Sequence, residues 1–112
     1  MTNVGIPRLS GTEILILASL AEGEQYGLQI VDTVKNLTDG REHLSLGGLY
    51  TTLHRMERKG LVAGRWGETT DDRRGARRRY YQMTGVGQRS LAETRRVVTR
   101  IAFNPAMDGV QS

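Results

Sequence analysis

Residues 45–60 read SLGGLYTTLHRMERKG, and the fold of the whole chain turns on this stretch. Ser45 offers a hydroxyl where a helix begins and its first amides lack partners. Leu46, Leu49, Tyr50, Leu53 and Met56 then recur at three- and four-residue steps, the spacing of one helical face. Arg58 and Lys59 fall in the last turn, where the helix dipole favours cations, and Gly60 is the residue type that most readily ends a helix. Gly47 and Gly48 each weaken a first turn by about 1 kcal/mol relative to alanine. In return they leave bare backbone that a neighbouring helix or a phosphate can approach closely.

Upstream, Ser10 and Glu13 have the spacing of a capping box. Ile14, Leu17, Ala18 and Ala21 recur at helical intervals, with Leu15, Ile16 and Leu20 between them. The pattern predicts a helix over 11–22, buried on more than one side and ended by Gly23. Tyr26 and Gly27 open a second helix, in which Ile30, Val31, Val34 and Leu37 share a face opposite Asp32, Lys35 and Asn36. Thr38-Asp39-Gly40 stops it. His43 and Leu44 are expected to form a short connection with a brief extended pairing.

Downstream, residues 61–66 read as a strand with Val62, Gly64 and Trp66 on one face, and 78–83 as its partner. The polar stretch 67–77 makes this hairpin longer than most. Packing of the hairpin on the helices accounts for Trp66, Tyr80 and Tyr81 better than base stacking does. Thr84 caps a last helix, in which Leu91, Val98 and Ala102 mark an apolar face joined by Val97 and Ile101. Asn104-Pro105 ends that helix, because the residue before proline is driven from helical dihedrals.

The order helix, helix, helix, strand, charged loop, strand, helix defines a mainly α fold with a small antiparallel hairpin: a winged helix-turn-helix with a C-terminal dimerisation helix. Residues 9–84 are assigned to the DNA-binding domain, 85–103 to the dimerisation helix and 104–112 to a loose tail. The 45–59 helix is the recognition helix, and its N-terminal part is the end such motifs present to base edges. The residues expected to meet double-stranded DNA there are Ser45, Gly48, Tyr50, Thr51, Thr52, His54 and Arg55. On the hairpin they are Arg73, Arg74, Arg77, Arg78 and Arg79, suited to phosphates and the minor groove. The apolar last helix beside an apolar first helix implies a homodimer through Ile14, Leu17, Leu91, Val98, Ile101 and Ala102. Two recognition helices would then lie about 34 Å apart, facing an inverted repeat.

Charge supports this reading. The net charge of +4 is uneven: residues 1–54 hold three basic and six acidic side chains, whereas 55–79 hold nine and four. Fourteen of the sixteen basic residues are arginine, whose fork matches phosphate oxygens and guanine edges. The absence of cysteine excludes disulfides and thiolate metal sites. His43 and His54 lack partner ligands at a recognised spacing, and no nucleophile, base and orienting group form a catalytic set, so neither metal, cofactor nor enzymatic activity is expected. Met1 to Pro7 resembles no signal peptide and no apolar run spans a bilayer; the expected location is the cytoplasm. The competing reading is a winged helix that binds only other proteins.

The stretch from Leu44 to Val62 resembles the recognition-helix signature of PadR-type transcriptional regulators. Ile14 to Gly23 and Tyr26 to Ile30 are similar to that family's first two helices, and Arg78 to Thr84 with Gly87 to its second wing strand and last-helix start. The resemblance covers about 9–103 and implies a dimeric, ligand-responsive repressor of the short subgroup with one terminal helix. The family usually has proline where Leu46 stands, and often Ser or Thr where Gly48 stands. Some short members clamp flat aromatic drugs with a tryptophan of the terminal helix. Here that helix has none, and Phe103 is its only aromatic residue.

Overall fold

The computed structural model describes residues 8–68 and 77–109. The elements are α1 (Gly11–Leu20), β1 (Gln25–Tyr26), α2 (Gly27–Leu37), α3 (Leu46–Arg58), β2 (Val62–Trp66), β3 (Arg79–Met83) and α4 (Gly85–Ala102), then a 3-10 turn, Pro105–Gly109. The capping box of α1 is complete: the Ser10 amide donates to the Glu13 carboxylate at 2.8 Å, and the Glu13 amide to the Ser10 hydroxyl at 3.2 Å. Ile16, Leu17 and Leu20 of α1 meet Ile30 and Val34 of α2, and Leu49, Leu53 and Met56 of α3. Leu61, Val62 and Tyr81 close the core from the hairpin side.

Gly60 ends α3 with φ +78°. Its amide donates to the Glu57 carbonyl at 3.0 Å, and the Leu61 amide to the Met56 carbonyl at 2.9 Å, the paired bonds of a Schellman motif. The chain thereby reverses straight into β2. Thr84 then locks the far end of the hairpin to this turn. Its amide donates to the Leu61 carbonyl at 3.1 Å, and its hydroxyl accepts from the Gly87 amide at 3.0 Å. Gly87 is buried there because a Cβ would overlap the Leu61 carbonyl and approach the Met83 side chain at 2.9 Å. A helix start with tight backbone packing explains the Gly85-Val86-Gly87 sequence.

The sheet has three strands in the order β1-β3-β2, all antiparallel. Val62 pairs with Met83 and Trp66 with Arg79, while Gln25 and Tyr26 pair with Tyr81 and Tyr80. The third strand corrects an expectation: His43 and Leu44 lie outside the sheet, because Gln25–Tyr26 occupies the free edge of β3. Side chains hold that short strand. The Ser19 hydroxyl donates to Gln25 Oε1 at 2.6 Å, and Gln25 Nε2 donates to the Thr33 hydroxyl at 3.1 Å, tying α1, β1 and α2 together. Helix α1 also stops two residues short of the expected end, at Leu20.

Packing corrects one expected dimer contact. Leu17 is fully buried within its own chain, so it supports the core and offers nothing to a second copy. Along α4 only Gly87 and Ser90 are buried. Leu91 packs partly against the core, and beyond it Val97, Val98 and Ile101 are exposed at 41%, 52% and 61%. Ile14 is half-buried and Ala102 exposed. Among the described residues no helix is long and apolar enough to cross a membrane.

Candidate nucleic-acid interface

Helix α3 presents two outward stripes. Gly47, Gly48, Thr51, Arg55 and Arg58 are exposed along one; Leu46, Tyr50 and His54 are exposed along the other, beside the hairpin. The Ser45 hydroxyl accepts the Gly48 amide at 3.1 Å, which satisfies one of the free donors at the helix start. No side chain stands over Gly47, where an added Cβ would meet nothing within 4 Å. This bare helix start combines free amides with the positive end of the dipole, the arrangement that receives phosphates.

Thr51 and Thr52 part company. Thr51 is exposed, its hydroxyl donating to the Gly47 carbonyl at 3.0 Å. Thr52 is 8% exposed, with its hydroxyl donated to the Gly48 carbonyl at 2.9 Å. Thr52 is therefore corrected from a groove residue to a core residue. It lies between Leu49 and Met56 on the inward arc, a placement that three-residue spacing already allowed.

Tyr50 lies over the start of α2. A Cβ at Gly27 would overlap its hydroxyl and come within 2.8 Å of its ring, so Gly27 is what lets the two helices approach. Arg55 is exposed, with Nε 3.8 Å from the Glu13 carboxylate. Lys59 contacts the same carboxylate at 2.7 Å. Glu13 is itself 1% exposed. Burial pushes its carboxyl up, but hydrogen bonds from Lys59 and Ser10, with the Lys59 and Arg55 charges, outweigh burial and hold it below the usual carboxylate range. Glu13 thus anchors the C-terminal half of α3 to α1. Its place amid an apolar helix was the signal for this second role beyond capping.

On the hairpin, Arg79 is committed within the protein. It meets Glu57 of α3 at 3.1 Å and lies 5.1 Å over the Trp66 ring. Arg78 is half-buried with its guanidinium 4.4 Å over the Tyr26 ring. Arg77 is exposed, and its Nε donates to the Gly67 carbonyl at 3.0 Å. Trp66, expected to pack inward, is 54% exposed. Arg73 and Arg74 lie outside the described residues. Arg65 forms a two-pronged pair with Glu24, at 2.6 and 2.7 Å, and covers Tyr80 at 4.8 Å, bracing the outer side of the sheet.

Between α3 and the loop end of the hairpin lies a cleft of about 620 Å3. Tyr26, Tyr50, Trp66 and Tyr81 form its aromatic walls, and Arg77 and Arg78 line it from the hairpin. Among the described residues there is no cluster of three or more His, Cys, Asp or Glu able to hold a metal ion.

Three helices followed by a hairpin, with α3 exposed beside the wing, define a winged helix-turn-helix protein. Residues 16–93 match the transcriptional regulator PadR-like family, and the chain belongs to that family. That family is one of transcriptional regulators. A PadR family transcription regulator from Clostridium difficile is 28% identical, with a TM-score of 0.69 over 88% of this chain and 96% of that one. An uncharacterised protein from Lysinibacillus sphaericus is 29% identical over 79 residues, 70% of each chain. Bacillus subtilis PadR, solved in complex with operator DNA, shares the fold at a TM-score of 0.66 and 19% identity, over 75% of this chain and 46% of that one.

Proposed function

We propose that this chain is a repressor that binds an inverted-repeat operator in double-stranded DNA as a homodimer and responds to a small-molecule effector. The observation that carries this reading is the bare, capped start of α3 beside a hairpin whose loop end holds Arg77 and Arg78. In this reading Ser45, Gly48 and Thr51 meet backbone and base edges at the N-terminal end of α3, with Tyr50, His54 and Arg55 along its length. The hairpin arginines, Arg73 and Arg74 included, follow the flanking phosphates and minor groove. The operator complex of the Bacillus subtilis relative supports the choice of duplex DNA as partner. Residues 85–103 form the dimerisation helix, because the outer half of α4 carries apolar side chains that its own chain leaves uncovered.

Footprinting on the DNA upstream of its own gene tests the reading. The expected result is protection of a twofold-symmetric site, with affinity falling steeply as salt rises. Weak binding indifferent to sequence would favour a protein-interaction module instead.

A further inference from the structure

We propose that the cleft between α3 and the loop end of the hairpin is an effector site for a free purine nucleoside monophosphate, and that its occupation excludes the duplex. The second half rests on the DNA-binding reading above; the first half does not. Ligand sites run from about 300 to 1,000 Å3, and this cleft, at about 620 Å3, has room for a two-ring base with a sugar phosphate. Four of the chain's six aromatic residues line it, so flat rings converge where a planar heterocycle can stack.

The charges select an anion. Among the described residues three guanidiniums line the cleft against one carboxylate, Glu57, and that carboxylate already accepts from Arg79. Arg77 and Arg78 form no ion pair among the described residues. Arg78 Nε is a buried donor with no hydrogen-bond partner, although its guanidinium is fixed over Tyr26. A phosphate has acceptor oxygens in the geometry of an arginine fork. Phosphates on the outside of a duplex bring no flat apolar surface to cover the exposed rings of Trp66 and Tyr50, whereas a nucleotide brings ring and phosphate together. Exclusion follows from shared residues: Tyr50, His54, Arg77 and Arg78 line the cleft and belong to the surface assigned to DNA.

Trp66 is the sole tryptophan, so one indole N–H resonance reports on this cleft in the intact chain. Adenosine 5′-monophosphate is expected to shift it saturably. Adenosine, which lacks the phosphate, and ribose 5-phosphate, which lacks the ring, are each expected to bind at least about tenfold more weakly. Arg78→Gln is expected to bring the nucleotide down to the level of the nucleoside. Leu28→Glu, at an exposed position lining the cleft, is expected to do the same by placing a carboxylate there. Equal affinity for all three probes, no saturable shift, or unchanged binding in both variants would overturn the site. Single-stranded oligodeoxyadenylate binding far more tightly than the mononucleotide would assign the cleft to a nucleic-acid strand and overturn the free-nucleotide reading. Adding nucleotide to the duplex complex is expected to release DNA, and a ternary complex would overturn the exclusion. A chain that took up the nucleotide but bound no duplex would refute the DNA-binding reading and leave the site standing.

Discussion

Glu13 carries three tasks in one side chain: it closes the cap of α1, fills a buried position and holds Lys59. Its folded pKa lies below the ordinary carboxylate value, so the unfolded chain takes up its proton first as pH falls. The stabilisation is therefore complete at neutral pH and is lost as pH drops through the usual carboxylate range, about pH 4, toward the folded value. Glu13→Gln should cost about 1–3 kcal/mol at neutral pH, and the gap to the parent should narrow in acid; urea unfolding across that range checks it. Because the same carboxylate lies 3.8 Å from Arg55, the variant should also loosen the C-terminal half of α3. Gly87 is a purely steric case. Its missing Cβ makes room for the Leu61 carbonyl, which is backbone and cannot turn away. Gly87→Ala should lose about 1–3 kcal/mol, read as a lower melting temperature without a change of helix content.

The elements divide their work by end and by face. Helix α3 buries Leu49, Thr52, Leu53 and Met56 and exposes Thr51, His54 and Arg55, so one helix serves the core with one face and leaves the other open to solvent. Arg55→Ala should weaken operator binding by about 1–3 kcal/mol and random duplex much less, because a base-edge contact discriminates between sequences. Arg77→Ala, at the loop end of the hairpin, should weaken both and reduce the salt slope by about one, the signature of a lost phosphate contact. Titrations of both duplexes at several salt concentrations separate the two. Equal losses for Arg55→Ala on operator and random DNA would contradict its assignment to the groove. The hairpin keeps its angle to α3 through Arg79 and Glu57, a pair both partly exposed and so one that orients more than it stabilises.

At the scale of the molecule, the described residues measure 58 × 35 × 21 Å, an elongated shape. Helix α4 is packed at its start, and its outer half carries Val97, Val98 and Ile101 into solvent. Covering such a stripe with its twin is the simplest way to remove it from water, and a twofold axis there would pair two recognition helices. Sedimentation at micromolar concentration is expected to show a dimer for the parent chain and a monomer for Ile101→Glu. A monomeric parent would refute the dimer.

The helices, their caps and the order of the hairpin strands were legible in the sequence because each depends on neighbours a few residues away. Ser10 with Glu13, Ser45 before Leu46, and Gly60 after Lys59 are local chemistry. The exposed face of α3 was legible for the same reason, apart from Thr52, which adjoins the apolar arc. Contacts distant in the chain carry no such periodic mark. Only the tertiary structure brought Gln25–Tyr26 to the edge of β3, lifted Lys59 onto Glu13, joined Glu57 to Arg79 and closed Tyr26, Tyr50 and Trp66 around one cleft. Local spacing determines which residues share a face; which faces then meet is decided by how the whole chain removes its apolar surface from water.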